Sequence, residues 1–270
     1  MYLSYFRLKD RPFSITSDPS FIFFSRRHQE AYNCLLYGIN HRLGFIEITG
    51  EIGCGKTTLC RAVINALDQR VKTAFVLNSS LTETQMMQTI LSDLGLDPAK
   101  KKRYELFSTL NRFLIEQLAH GCNVALFIDE AQNLSVPLLE QVRMLSNLET
   151  EKEKLTQIIL VGQPELRDKL NAPALKQLRQ RIAVRYHLTP LASDEMAAYI
   201  RHRLEVAGAG DSLPEFTPEA IDRVFRYSGG VPRLINVLCD KALLLAFVRE
   251  TLEVTVEMIE QSILEIEGNP

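Results

Sequence analysis

FIEITGEIGCGKTTLCRAVINAL, residues 45–67, decides how the rest of this chain is read. Phe45–Thr49 is an apolar run of strand length, and Gly50-Glu51-Ile52-Gly53-Cys54-Gly55-Lys56-Thr57 fits the pattern G-x-x-x-x-G-K-[ST]. Leu59, Ala62, Val63, Ala66 and Leu67 then recur at helical spacing. Strand, glycine loop and helix in that order are the context a phosphate-binding loop requires. Gly50, Gly53 and Gly55 let backbone N–H groups curl around an anion without Cβ clashes. The following helix directs its positive end at the same place. Lys56 adds a point charge for the β- and γ-phosphates, and the Thr57 hydroxyl suits Mg²⁺. Gly50 to Thr58, with Glu51, Ile52, Cys54 and Thr58 included, is therefore the expected nucleotide-binding segment.

The surrounding composition is that of an ordinary globular chain: 270 residues, 46% hydrophobic and 24% charged. A net charge of −2 supplies no broad basic field for nucleic acid. The five cysteines, Cys34, Cys54, Cys60, Cys122 and Cys239, form no C-x-x-C pair and read as reduced thiols of a cytosolic protein. MYLSYFRLKDRPF lacks the apolar core of a signal peptide, and the run Ala242–Val248 is too short to span a bilayer. The expectation is a soluble chain.

Apolar runs at Thr73–Asn78, Val124–Ile128, Thr156–Val161 and Ala183–Leu188 read as further strands. Between them lie helical patterns at His28–Asn40, after Thr82, at Tyr104–His120 and Val136–Leu148, and shorter pieces around Glu165–Leu170 and Ala174–Arg181. Alternating strands and helices predict an α/β fold with a parallel five-stranded sheet flanked by helices. Residues 1–25 read as an ordered entry segment, because Phe6, Phe13, Phe21, Phe23 and Phe24 need burial. After Pro190 only helices are expected: one capped by Ser193, one started by Thr217-Pro218, one over Val231–Arg249 and one over Thr255–Ile266. This gives an α/β core over 1–190 and an all-helical lid over 191–270.

Outside the loop, Asp129-Glu130 ends the VALFI strand, at the edge where open parallel sheets hold ligands. There Asp129 would hold the hydration shell of Mg²⁺ and Glu130 would polarise an attacking water. Gln163 follows the TQIILVG strand; it either orients the γ-phosphate or water, or is a loop residue before Pro164, and the sequence leaves both readings open. Arg181, ahead of Arg179, precedes the last strand and suits an arginine finger reaching a neighbouring subunit. Arg233 opens a helix after Gly229-Gly230-Val231-Pro232. The helix dipole disfavours a cation there, whereas a nucleotide phosphate would explain it. Lys100-Lys101-Lys102-Arg103 reads as a solvated loop. Arg26-Arg27-His28 opens a helix bordering the nucleotide base, and His28 has no cluster around it that would make it a metal ligand.

The order of these motifs resembles the AAA+ ATPases. The strings MYLSYFRLKDRPFSITSDPSFIFFSRRHQEA, TGEIGCGKTTLCR, FIDEAQNL, ILVGQPELRDKL, RQRIAVRYHLTPL and GGVPRLINVLCDKALL narrow it to the ExeA/GspA-type ATPases of bacterial general (type II) secretion. The resemblance spans essentially the whole chain. It implies ATP and Mg²⁺ as ligands, Gly50–Thr58 as Walker A, Asp129 and Glu130 as Walker B, Gln163 as sensor 1 and Arg233 as sensor 2. It further implies an inner-membrane partner of the ExeB/GspB type and a role in assembling the secretin across the cell wall. A homo-oligomer with Arg181 or Arg179 acting in trans is expected, with no nucleic acid partner. Members of the family usually continue into a transmembrane helix and a periplasmic peptidoglycan-binding region. Neither is in this sequence, which points to the cytoplasmic ATPase portion alone, held at the inner membrane, or to a shorter paralogue. Two rivals share the nucleotide site: a DNA-associated AAA+ ATPase of transposition or replication, and a slow nucleotide-gated scaffold serving pilus or exopolysaccharide systems.

Overall fold

Residues 2–77, 81–99, 102–149, 153–208 and 214–268 are described in the structure, a computed structural model. Lys100 and Lys101 of the basic run, and Asn78 at the end of the second expected strand, lie outside them. In chain order the elements are α1 (Tyr2–Tyr5), α2 (Arg26–Asn40), β1 (Phe45–Gly50), α3 (Lys56–Ala66), β2 (Val71–Val76), α4 (Glu83–Asp93), α5 (Arg103–Ala119), β3 (Asn123–Ile128), α6 (Val136–Leu145) and β4 (Gln157–Gly162). They continue with α7 (Pro164–Leu170), α8 (Lys176–Arg181), β5 (Ile182–Leu188), α9 (Met196–Val206), β6 (Glu215–Phe216), α10 (Pro218–Ser228), α11 (Pro232–Val248), β7 (Glu253–Val254) and α12 (Val256–Ile266). The chain divides into two compact units. One comprises Gln29–Ile52 and Leu59–Leu188; the other comprises Met1–His28, Gly53–Thr58 and Thr189–Pro270.

The first unit is built on a five-stranded sheet in the order β2-β3-β4-β1-β5. All its pairings are parallel, as the alternation of strands and helices predicts. Every residue of β1, β3 and β4 is buried, whereas the edge strands β2 and β5 are largely half-buried or exposed and alternate between less and more accessible positions. An interior parallel strand is covered on both faces, which is why its sequence is continuously apolar. One face packs Ala74, Leu126, Ile128, Ile158 and Leu160 against Met86, Ile90, Leu106, Leu110, Leu139 and Val142. α2 also packs closely on the sheet: a Cβ at Gly38 would lie 2.5 Å from Ile46 Cδ1. Helix boundaries follow local chemistry. Thr82 accepts the Gln85 N–H and Gln85 returns the bond to the Thr82 N–H, a capping box that starts α4. Ser135 accepts the Leu138 N–H at the start of α6.

β1 is held between two strands that lie more than 100 residues later in the chain. It pairs with β4 from Phe45↔Ile158 to Thr49↔Gly162, and with β5 up to Gly50↔Leu188. A Cβ at Gly50 would lie 2.5 Å from the Leu188 carbonyl oxygen, so only glycine permits β1 to end against β5 in this way. Glu47 on β1 sits opposite Arg185 on β5, with a Glu47–Arg185 ion pair of 3.2 Å. Burial pushes the Glu47 carboxyl above the usual carboxylate range, and Arg185 and then Arg167 oppose that shift.

The second unit gathers α9 to α12 around Met196, Ile200, Leu204, Val224, Leu238, Leu243 and Ile259. Phe6, Phe13 and Phe21 are buried in the same core, as expected for the entry segment. Phe24 instead is exposed. Arg203, itself buried, donates to the backbone carbonyls of Pro12 and, at 2.9 Å, of Ser14. Its guanidinium also lies 4.7 Å from the centre of the Phe21 ring. The expectation of helices alone after Pro190 needs a correction: β6 and β7 form a two-stranded parallel sheet. Two residues per strand are too few to show an alternation in the sequence. Ser193 is not a cap either. It opens a 3-10 turn over Ser193–Glu195, and Glu195 returns a bond to the Ala192 N–H at 3.0 Å. Thr217 and Pro218 start α10 as expected, and Gly229, at φ +57°, ends it.

Candidate nucleotide-binding site

Within the second unit, the phosphate-loop segment Gly53–Thr58 has the conformation its glycines suggest. Gly53 and Gly55 stand at φ +83° and +90°, a region that glycine enters without Cβ strain. Lys56 begins α3 and is only 6% exposed, with Thr57 and Thr58 half-buried in the first turn. Cys54 is buried. The loop's N–H groups and the helix start therefore meet an almost enclosed ammonium group, a setting suited to a multiply charged anion.

Two other parts of the same unit shape this segment. The Arg233 N–H, at the start of α11, donates to the Gly53 carbonyl at 3.2 Å. A Cβ at Gly53 would lie 2.7 Å from Arg233 Cβ and 3.2 Å from Val231 Cγ1. The sequence reading of Arg233 as a residue of the nucleotide site thus finds it packed on the loop by its backbone. Its side chain is exposed and makes no hydrogen bond or ion pair among the described residues.

His28 is the second support, and the sequence reading missed it in this role. Its Nε2 lies 2.9 Å from the Cys54 carbonyl and its Nδ1 lies 2.7 Å from Ser25 Oγ. A carbonyl only accepts, so Nε2 carries the proton and Nδ1 accepts from the Ser25 hydroxyl. The same Ser25 oxygen accepts the His28 N–H at 3.2 Å, in the manner of a helix N-cap. Burial lowers the His28 pKa below its ordinary value, against the Cys54 carbonyl and Glu195, which both raise it. The ring is therefore a neutral donor fixed to the loop. Arg26, at the start of the same helix, pairs with Asp194 at 2.8 Å and donates its N–H to Glu195 at 2.9 Å.

The first unit carries the other residues singled out by the sequence. Its strands are parallel and in register, so the ends of β1, β3 and β4 share one sheet edge. Gly50 ends β1, with Glu51 and Ile52 exposed beyond it. Asp129, 2% exposed, follows β3 and accepts the Glu130 N–H at 2.9 Å. Gln163 follows β4. Glu130 adopts φ +51° and ψ +37°, a left-handed conformation uncommon for a side-chain-bearing residue. The Gln163 side chain donates to Glu130 Oε2 at 3.2 Å, so the structure joins two residues that the sequence could not connect.

Gln132 completes this group, and the sequence reading did not single it out. Its Nε2 donates to the same Glu130 oxygen at 2.5 Å, and its Oε1 accepts the Gln163 N–H at 3.1 Å. The missed signal is the spacing in Glu130-Ala131-Gln132, where a 3-10 turn over Ala131–Asn133 folds the third residue back towards the first.

Arg181 and Arg179 lie in the last turn of α8. Arg181 donates to Ser146 Oγ at 2.8 Å and to Asn147 Oδ1, within its own chain. Arg179 donates weakly to Asn171 Oδ1 at 3.4 Å, and its carbonyl accepts from Arg185 at 2.8 Å.

Comparison with known proteins agrees with this architecture. Residues 39–170 match the family model described as an AAA domain. The chain is 42% identical over 269 residues to General secretion pathway protein A of Aeromonas hydrophila, covering 99% of this chain and 49% of that protein. It thus spans about half the length of that relative. Among solved structures it is similar to the Aeropyrum pernix ORC2 protein, with a TM-score of 0.72 and 18% identity over 96% of this chain and 72% of that one. It is also similar to the Thermotoga maritima RuvB Holliday junction branch migration motor, with a TM-score of 0.59 and 16% identity over 90% and 69% of the two chains. At such identities these two likenesses are of fold alone. By its parallel sheet, its phosphate loop and its AAA domain match, the chain has the AAA P-loop NTPase fold, and over nearly all its length it is similar to the ExeA/GspA-type protein of general secretion.

Proposed function

We propose that this chain binds and hydrolyses ATP with Mg²⁺ and supports the general secretion pathway. The observation that carries the reading is the loop Gly53–Lys56. It has two glycines in the left-handed region, a nearly enclosed lysine at a helix start, and Arg233 and His28 bonded to its carbonyls. A side chain at Gly53 would fill the space that keeps this cradle in shape, so the residues present fit a phosphate chain.

Residues Gly50 to Thr58 would wrap the phosphates, and Lys56 would place its charge on the β- and γ-phosphates. Magnesium, with Thr57 and Asp129 as its protein-side holders, would supply charge neutralisation across the phosphate oxygens. Glu130 would accept the proton of the attacking water, Gln163 would orient the γ-phosphate or that water, and Arg233 would add positive charge beside the phosphates. Arg181, or Arg179, would reach the site of a neighbouring subunit; for Arg181 this requires releasing Ser146 and Asn147. In this scheme the α/β unit up to Leu188 acts as the ATPase core, and the helices of 191–270, whose core also holds Phe6, Phe13 and Phe21, act as a lid that reports the nucleotide through Arg233.

The likeness to General secretion pathway protein A supports a place in that pathway. We infer an inner-membrane partner of the GspB type and a contribution to secretin assembly, with the chain acting at the cytoplasmic face of the membrane. No described helix is long and apolar enough to cross a membrane itself.

The test is direct. Lys56→Ala should abolish binding of a fluorescent ATP analogue, and Glu130→Gln should bind it with unchanged affinity while turnover falls at least 100-fold. Glu130→Gln hydrolysing ATP at the wild-type rate would remove the mechanism.

A further inference from the structure

The group around Glu130 is more ordered than a water-activating carboxylate alone requires. Glu130 Oε2 accepts two side-chain amides, from Gln132 at 2.5 Å and from Gln163 at 3.2 Å. Glu130 Oε1 accepts no hydrogen bond among the described residues. The Gln132 amide is used at both ends, because its oxygen accepts the Gln163 N–H at 3.1 Å. Turning that amide over would face its oxygen to the carboxylate and its NH₂ to an N–H, so its orientation is fixed by its partners.

The surroundings hold Gln132 in this pose. A Cβ at Gly162 would come within 2.7 Å of Gln132 Oε1, so glycine at the end of β4 leaves the space the amide occupies. Lys169 on α7 donates to the backbone carbonyls of Gln132 and, at 3.0 Å, of Leu134, which closes the turn from the other side. Gln132 therefore bridges the ends of β3 and β4 and grips one oxygen of Glu130 while leaving the other open.

We propose that Gln132 is a positioning residue for the ATPase reaction: its amide locks the rotation of the Glu130 carboxylate so that Oε1 is presented to the attacking water. This rests on the proposed role of Glu130 as the group that accepts the water proton. The division of labour follows from the contacts. Gln163 makes the longer bond to Glu130 and suits a residue that changes partner when a γ-phosphate is present. Gln132 makes the shorter bond and keeps Glu130 in place when Gln163 leaves.

The experiment uses the full chain, with steady-state turnover, affinity for a fluorescent non-hydrolysable ATP analogue and melting temperature measured together. Gln132→Met keeps the length and most of the volume but removes the amide, and Gln132→Ala serves as the second variant. Both should lower kcat at least 10-fold while analogue affinity stays within 2-fold. In long single-turnover runs with labelled ATP, Glu130→Gln/Gln132→Met should be no slower than Glu130→Gln alone, because the positioned group is already gone. Wild-type kcat in both Gln132 variants would overturn the proposal. So would an equal fold-loss in the Glu130→Gln background, or a loss of affinity parallel to the loss of kcat. Wild-type turnover in Glu130→Gln would instead overturn the underlying assignment of Glu130, a result distinct from any of these.

Discussion

Gly53→Ala tests whether the loop's shape depends on contact with the start of α11. The added Cβ would sit 2.7 Å from Arg233 Cβ, and a Cβ position does not change with side-chain rotamer, so one backbone has to move. Two terms add. A non-glycine residue in the left-handed region costs about 1–2 kcal/mol. Forcing apart two packed segments costs about 1–3 kcal/mol more. If ATP binds only the loop conformer seen here, a total of about 3 kcal/mol corresponds to roughly 100-fold weaker affinity. Gly95→Ala is the matched control, since it has a similar φ of +78° with nothing within 4 Å of the added carbon. It should show the backbone term alone, about 1–2 kcal/mol in thermal or urea unfolding, with ATP affinity unchanged. Affinity would be read by titration of a fluorescent ATP analogue, and stability by denaturant unfolding. Gly53→Ala binding within 3-fold of the wild-type protein would refute the idea that this contact sets the loop.

Two further changes probe charge and hydrogen bonding. His28→Ala should destabilise by about 1–3 kcal/mol, because the buried hydrogen bond between the imidazole and the Cys54 carbonyl is lost. The folded protein holds His28 below its ordinary pKa, so the unfolded chain binds the extra proton first. That stability contribution is complete above about pH 6.5 and is lost as pH falls further. Melting temperature between pH 5 and 6.5 should therefore fall less steeply for His28→Ala than for the wild type, and equal slopes would contradict the assignment. Arg185→Ala leaves the buried Glu47 without its nearest cation. The cost should be about 2 kcal/mol at neutral pH, below that of a fully enclosed pair because Arg185 is half exposed. Glu47 has a raised pKa, so its protonated form is favoured in the folded state and the penalty should shrink as pH falls through that pKa. A penalty independent of pH would locate the effect elsewhere.

The parts legible in the sequence are those where one local signal determines the conformation. Continuous apolar runs reveal β1, β3 and β4 because interior parallel strands are covered on both faces. The glycine pattern reveals the loop because only glycine takes φ near +83° there without strain. Illegible were the features fixed by contacts distant in the chain. Gln132 acquires a role only when β3 and β4 lie side by side and Gln163 comes within reach. His28 reads as the start of a helix until the Cys54 carbonyl, 26 residues on, is seen against its ring. The strands β6 and β7 pair two residues with two residues 38 positions away, leaving no periodic trace. Phe24, grouped with the buried phenylalanines by type alone, is exposed because composition does not say which side of the entry segment meets the core.

The linkage of the first residues to the last unit has a consequence for how the protein is made. Tyr2 is bonded to Asp240, 238 residues later, and Phe6 and Phe13 lie in a core completed by α9 to α12. At ribosomal rates of about 5–20 residues per second, those aromatic groups wait roughly 10–50 s for their partners. A nascent chain of this design exposes Tyr2, Phe6 and Phe13 well before the surface that covers them is made. It is thus a natural client for a holding chaperone during translation.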